Sequence, residues 1–228
     1  MLHGYGWVIA LGTWQTVKLA LLSLLLAIVL GLLGASAKVS KVGALNKVAS
    51  VYTTLIRGVP DLVLMLLLFY SIQMWLNRLT DHMQVDQVDI DPFVAGVMTI
   101  GFIYGAYFTE TFRGAFMSVP AGQIEAGVST GMSGLQVFRR ILFPQMMRFA
   151  LPGIANNWQV LVKATALVSL IGLTDLVKVA LDAGKSTFNM FHFILVAALI
   201  YLALTSVSNL VLVWLAKRYS LGVREAKI

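Results

Sequence analysis

The residues able to do chemistry in this chain lie inside apolar stretches. Glu110 and Arg113 stand three apart in GFIYGAYFTETFRGAF, hence on one helix face. Asn156, Asn157, Gln159, Lys163, Thr165 and Ser169 crowd a second stretch. A charge at the centre of a membrane span costs about 2.5–3.5 kcal/mol on the insertion scale, so such groups pair, face a partner or line a polar path. Glu110, Asn156, Gln159, Lys163 and Thr165 are therefore candidates for a solute path. The plainer alternatives are a structural Glu110–Arg113 ion pair and a structural Lys163. Arg57 precedes Gly58 and Pro60, and Asp61 falls in the first turn after the proline. That reads as a helix entry, with proline at the start and a negative charge on the helix dipole, not as a catalytic site.

Other chemistries lack their residues. Gly184-Lys185-Ser186-Thr187 resembles the end of a phosphate loop, but Val179 stands where the pattern needs a glycine, and no strand is predicted before it. No ATP site is expected in this chain. His3, His82 and His192 are scattered, and Asp81, Asp86, Asp89 and Asp91 lack the glycine and terminal glutamate of a calcium loop. The Asp81–Asp91 stretch reads equally as an acidic outer surface for a partner or as a solvated loop. There is no cysteine and no serine nucleophile motif. No catalytic residue, no metal and no cofactor is expected.

The elements that must hold these residues are membrane spans. Of the 228 residues, 59% are hydrophobic and 12% charged, against about a quarter charged in soluble domains. The mean hydropathy is +0.85. Five apolar segments, near 13–35, 60–76, 93–116, 149–173 and 191–215, are each long enough to cross about 30 Å of hydrocarbon as a helix. The expected fold class is therefore all-α, a single transmembrane domain over 1–228 with five spans. No signal peptide is read at the N-terminus, and the first span is expected to be retained.

Charge orients the spans. Lys38, Lys41, Lys47, Arg139, Arg140, Arg148, Lys217, Arg218, Arg224 and Lys227, ten of the 17 basic residues, lie in alternate connections. Asp81, Asp86, Asp89, Asp91, Asp175 and Asp182, six of the ten acids, lie in the others. The positive-inside rule puts the N-terminus outside and the C-terminus in the cytoplasm. The net charge of +7 follows from that bias. No basic soluble domain points to nucleic acid.

The longest basic connection, 118–148, is amphipathic. Ile124, Val128, Leu135, Phe138 and Leu142 recur at helical spacing. Gly131 and Gly134 permit a bend, Ser133 is placed to cap a second short helix, and Pro144 is expected to end it. By pattern alone this is either a lipid-surface helix or a knob for a partner's groove.

A resemblance adds to that reading. Glu125-Ala126-Gly127, then Gly131, Ile141 and Pro144, resemble the EAA loop of ATP-binding-cassette importer permeases, with Gly127 for Ala and Phe143 for Leu. Tyr52-Thr-Thr-Leu-Ile-Arg57-Gly58-Val59-Pro60, Gly105 to Ala115 and Gly122-Gln123-Ile124-Glu125 are similar to the polar-amino-acid branch of that family. The match covers most of Tyr52–Gly172. The wording of TTLIRGVPDLVLMLLLFY is most similar to members that carry histidine, lysine, arginine and ornithine. Thr54 and Asp61 stand where the wider family more often has Glu and Leu. Ala164 stands where many relatives have an acid after the lysine.

The resemblance implies a type I importer permease fold in the bacterial inner membrane. It implies that Gly122, Glu125, Ala126, Gly131, Ile141 and Pro144 dock onto the motor. It also implies the partners: a second related permease, as a heterodimer sooner than a homodimer, two ATPase subunits that bind the ATP, and a periplasmic substrate-binding protein. Two rivals stand beside it. An ion-coupled secondary transporter would use Glu110 or Lys163 and show inverted repeats and broken midplane helices, and neither is visible in the sequence. A membrane-embedded enzyme would need clustered intramembrane His, Asp or Ser, which are missing.

Overall fold

A computed structural model of the chain describes residues 4–219. His3, Arg224 and Lys227 lie outside the described residues. The elements in chain order are α1 (Gly6–Val39), α2 (Gly43–Gly58), α3 (Asp61–Met83), α4 (Pro92–Met117), α5 (Ala121–Ser129), α6 (Gly134–Val137), α7 (Phe143–Ala164), α8 (Leu176–Ser186) and α9 (Met190–Tyr219). A π-helical turn, Phe138–Leu142, joins α6 to α7, and a 3₁₀ stretch, Thr165–Ile171, follows α7. Five helical stretches, α1, α3, α4, Gly134–Ile171 and α9, are long and apolar enough to cross a membrane.

The centre of the bundle is α4, with Ile100, Ile103, Tyr104, Phe108 and Phe112 buried along it. It lies against α1 and runs in the same direction: Leu19 meets Gly96, Leu30 meets Gly105, and Lys38 meets Glu110. Small residues bring the two backbones together. A methyl group added at Gly31 would stand 2.5 Å from Phe108 Cβ and 3.1 Å from its backbone carbon. Lipid dissolves apolar side chains as well as a core does, so this close packing, and not hydrophobic burial, holds the helices together. The outer faces stay apolar, as Leu199, Leu202, Leu210 and Trp214 on α9 show.

Four local features add to the sequence expectations or, at Pro144, depart from them. The basic connection after the first span is itself helical, as α2, which buries Ala49, Thr53 and Ile56. Between spans four and five the chain forms α8, whose N-cap Asp175 accepts from Lys178 N at 2.9 Å. Pro144 does not end a helix. Phe143 N donates to Phe138 O across the π turn, so the wider turn has already shifted the bonding pattern before the proline, which has no N–H to offer.

The fourth feature is a pair of local interruptions. The chain interrupts α2 and α3 at Val59, which is extended (φ −118°, ψ 141°) as a residue before proline prefers to be. It also tightens from α to 3₁₀ at Thr165. The first break leads directly into Asp61.

Candidate functional site

The coupling candidates lie on a helix–turn–helix outside the bundle. α5 closes with the hydrogen-bond pair of a Schellman motif: Met132 N donates to Gly127 O at 3.2 Å, and Gly131 N to Val128 O at 2.9 Å. Gly131 has φ +81°, a left-handed conformation that glycine adopts without penalty. Ser133 then opens α6 with a reciprocal capping box. Its Oγ accepts from Gln136 N, and its N donates to Gln136 Oε1 at 2.8 Å.

Gly127 is buried where Ile141 and Val137 close on α5: an alanine methyl there would sit 2.6 Å from Ile141 Cδ1 and 3.2 Å from Val137 Cγ2, a crowding that a small shift of the Ile141 side chain relieves. Gly122, Glu125 and Ala126 are exposed, while Ile141 and Pro144 are partly buried. The amphipathic face divides. Ile124, Phe138 and Leu142 line a cavity of about 470 Å³ against Phe116 and the end of α1, whereas Val128 and Leu135 point outward. The six coupling candidates therefore lie along one helix–turn–helix, with Gly122, Glu125, Ala126 and Gly131 at its surface and Ile141 and Pro144 partly buried.

Glu110 is fully engaged. One carboxylate oxygen accepts from Lys38 at the end of α1, and the other from Arg113 Nε at 2.9 Å. Lys38 and Glu110 are both largely buried. This triad ties α1 to α4 near the turn into the helix–turn–helix, and a substrate could reach Glu110 only by displacing a cation. The i, i+3 spacing revealed Arg113. Lys38, 72 residues away, carried no signal.

The polar residues of span four point in two directions. Asn157 is buried and donates to Thr111 Oγ1 at 3.0 Å. Thr165 is buried, donates to Val162 O at 2.7 Å and lies 3.3 Å from the Tyr201 hydroxyl. Gln159 donates to Asn209 on α9 at 3.3 Å. Asn156 and Lys163 are exposed with Pro152 and Val160 on one stripe of α7. Of the path candidates, then, Thr165 packs inside, Gln159 bridges to α9, and Asn156 and Lys163 share the outer stripe.

A second acidic cluster escaped the sequence reading. Asp61 accepts from the Tyr104 hydroxyl at 2.9 Å and from the Tyr107 hydroxyl at 3.5 Å. The two tyrosine rings stack at 5.4 Å with 27° between their planes. The Arg57 guanidinium lies 5.5 Å from the centre of the Tyr107 ring. The i, i+3 spacing of Tyr104 and Tyr107 was available as a signal for a shared face; their contact with Asp61 was not. The phosphate-loop-like stretch closes α8 instead of opening a helix, and the Ser186 hydroxyl lies 2.7 Å from that of Tyr5. Among the described residues, no group of three side chains is arranged to hold a metal.

Residues 27–221 match the family described as binding-protein-dependent transport system inner membrane component. The chain is 59% identical over 228 residues, all of both chains, to the histidine/lysine/arginine/ornithine transport system permease protein HisQ of Salmonella typhimurium. It is 58% identical over the same full length to the protein of that description in Escherichia coli K12. A solved amino acid ABC transporter with histidines superposes with TM-score 0.78 at 31% identity, over 94% of this chain and 95% of that one.

Proposed function

The chain belongs to the inner-membrane components of binding-protein-dependent transport systems, and from that premise we propose that it is the permease subunit of an ATP-driven importer of histidine, lysine, arginine and ornithine in the bacterial inner membrane. It pairs with a second, related permease. Two ATPase subunits bind and hydrolyse the ATP, and a periplasmic binding protein delivers the substrate. The N-terminus lies outside and the C-terminus in the cytoplasm, following the bias of Lys and Arg.

The observation that carries this reading is the helix–turn–helix outside the bundle. A helix whose Glu125 and Ala126 are exposed, closed at its C-terminal end by the Gly131 turn and followed at once by the Ser133 capping box that opens α6, is suited to fill a partner's groove. Movement of that knob would pass through Ile141 and Pro144 into α7, which carries the outward Asn156 and Lys163. Transport needs two states of the pair that bind nucleotide or solute differently. An ion-coupled secondary transporter finds less support, because Glu110 already holds two cations and the full-length relatives are transport-system permeases.

Reconstitution tests this. The chain alone in liposomes is expected to show neither uptake nor ATPase activity, and the complex with its co-expressed partners to take up arginine only with ATP. Glu125→Lys is expected to leave the chain inserted and to abolish the coupling of hydrolysis to uptake. Uptake by the chain alone overturns the importer reading, and normal ATP-dependent uptake by Glu125→Lys overturns the coupling role of the helix–turn–helix.

A further inference from the structure

Asp61 stands where a carboxylate is hard to explain as packing. Tyr104, which donates to it, is about halfway along the 26-residue α4, so with α4 spanning the bilayer Asp61 and the start of α3 lie inside it and not at its face. The ion pairs within 4 Å among the described residues are Lys38–Glu110, Arg113–Glu110 and Lys178–Asp182; none includes Asp61. It lies in the first turn of α3. What it has instead is two phenolic hydroxyls and a stacked pair of rings. Arg57, which lies over the Tyr107 ring, makes no ion pair with Asp61, and an intramembrane charge outside any direct ion pair faces a polar cavity or a ligand.

The surroundings select the ligand's charge. A carboxylate attracts a cation, and tyrosine ring faces attract guanidinium and ammonium groups. The Arg57 guanidinium, from the far side of the break at Val59, already lies over Tyr107, so the ring is placed to take such a group. Asp61 and Tyr107 are only half-buried, and Gly58 and Pro60 beside them are exposed, so the cluster is open to a ligand.

We propose that Asp61, with Tyr104 and Tyr107, receives the cationic end of a basic amino acid during its passage, and that Arg57 occupies the ring face that the substrate's guanidinium or ammonium takes. This rests on the importer reading above and adds to it the group that selects for positive charge. The helix break at Val59 and Pro60 serves it by starting α3, and so placing Asp61, at that depth.

Equilibrium binding of labelled arginine, and of its uncharged analogue citrulline, to the membrane complex of permease and ATPase subunits in nanodiscs, without the binding protein, tests the assignment. The wild-type complex is expected to prefer arginine. Loss of one charge-assisted contact is worth on the order of tenfold in affinity, so Asp61→Asn is expected to bind arginine about tenfold more weakly and to close the gap to citrulline. Asp61→Glu should restore most of the preference. Should Asp61→Asn fail to co-elute with its partners, Tyr107→Leu carries the same test, since it leaves Asp61 on Tyr104. Arginine preference unchanged in an assembled Asp61→Asn or Tyr107→Leu complex overturns the proposal. ATP-dependent arginine uptake by the wild-type complex is measured separately: its absence overturns the importer reading, whereas uptake with an unaltered Asp61→Asn preference overturns only the assignment of Asp61.

Discussion

Glu110 holds Lys38 and Arg113 at once, and the value of that arrangement lies in what its loss would leave behind. Removing one partner of a buried ion pair strands the other charge, at a cost of about 3–5 kcal/mol. Glu110→Gln is therefore expected to lower the thermal unfolding temperature of the reconstituted complex clearly, with Lys38 left unpaired beside α4. An unchanged melting curve would show that the triad is not structural. Asp175 is a different case. It is fully buried, its Oδ2 has no partner among the described residues, and burial outweighs its backbone hydrogen bonds and pushes its carboxyl up to about 6. The folded chain thus keeps that proton to about pH 6, whereas an unfolded chain releases it near pH 4. Stability from this group therefore falls as pH rises from about 4 to about 6, and levels off above. Asp175→Asn keeps a good N-cap and removes the buried charge. It is expected to flatten that slope and to gain up to about 2–3 kcal/mol at pH 7; melting curves from pH 4.5 to 7.5 that match the parent's would refute it.

At the scale of elements, the α1–α4 pair determines how close everything else can come. Gly31 meets the Cβ and backbone of Phe108, neither of which can swing aside, whereas Gly114 on the same α4 faces open space. Gly31→Ala is expected to cost about 1–3 kcal/mol as overpacking, and Gly114→Ala to stay within about 0.5 kcal/mol. Denaturation of both variants in one detergent compares them directly, and equal stabilities would remove the close-packing account. The spans were legible because hydropathy and charge are local properties. The helix–turn–helix was also legible, since Gly131, Ser133 and the apolar spacing act within a turn of themselves. The continuation through Pro144 was not. Proline normally stops a helix, and only the π turn before it, sustained by the packing of Ile141 against α5, shows that the chain runs on.

For the whole molecule, the outward stripe of α7 is the part left incomplete in a single chain. Asn156 and Lys163 would be costly against lipid, so in the proposed assembly they are expected to face water or a partner subunit. The chain contains no cysteine, which makes Lys163→Cys a clean probe. In the assembled complex it is expected to react with a water-soluble, membrane-impermeant thiol reagent at a rate that changes with ATP. No labelling in any nucleotide state would place the position against lipid or inside a closed interface, and would remove it from the path. The sequence by itself determined the five spans, their charge bias and the amphipathic helix–turn–helix between the third and fourth, because each is written in the composition and period of one continuous segment. Only the tertiary structure decided that Glu110 belongs with Lys38, that Asn157 and Thr165 turn inward while Lys163 turns outward, and that Asp61 meets Tyr104 and Tyr107. Those pairings depend on the rotation and depth of one helix against another. Small residues at the crossings set both, and no periodicity within a single helix encodes them.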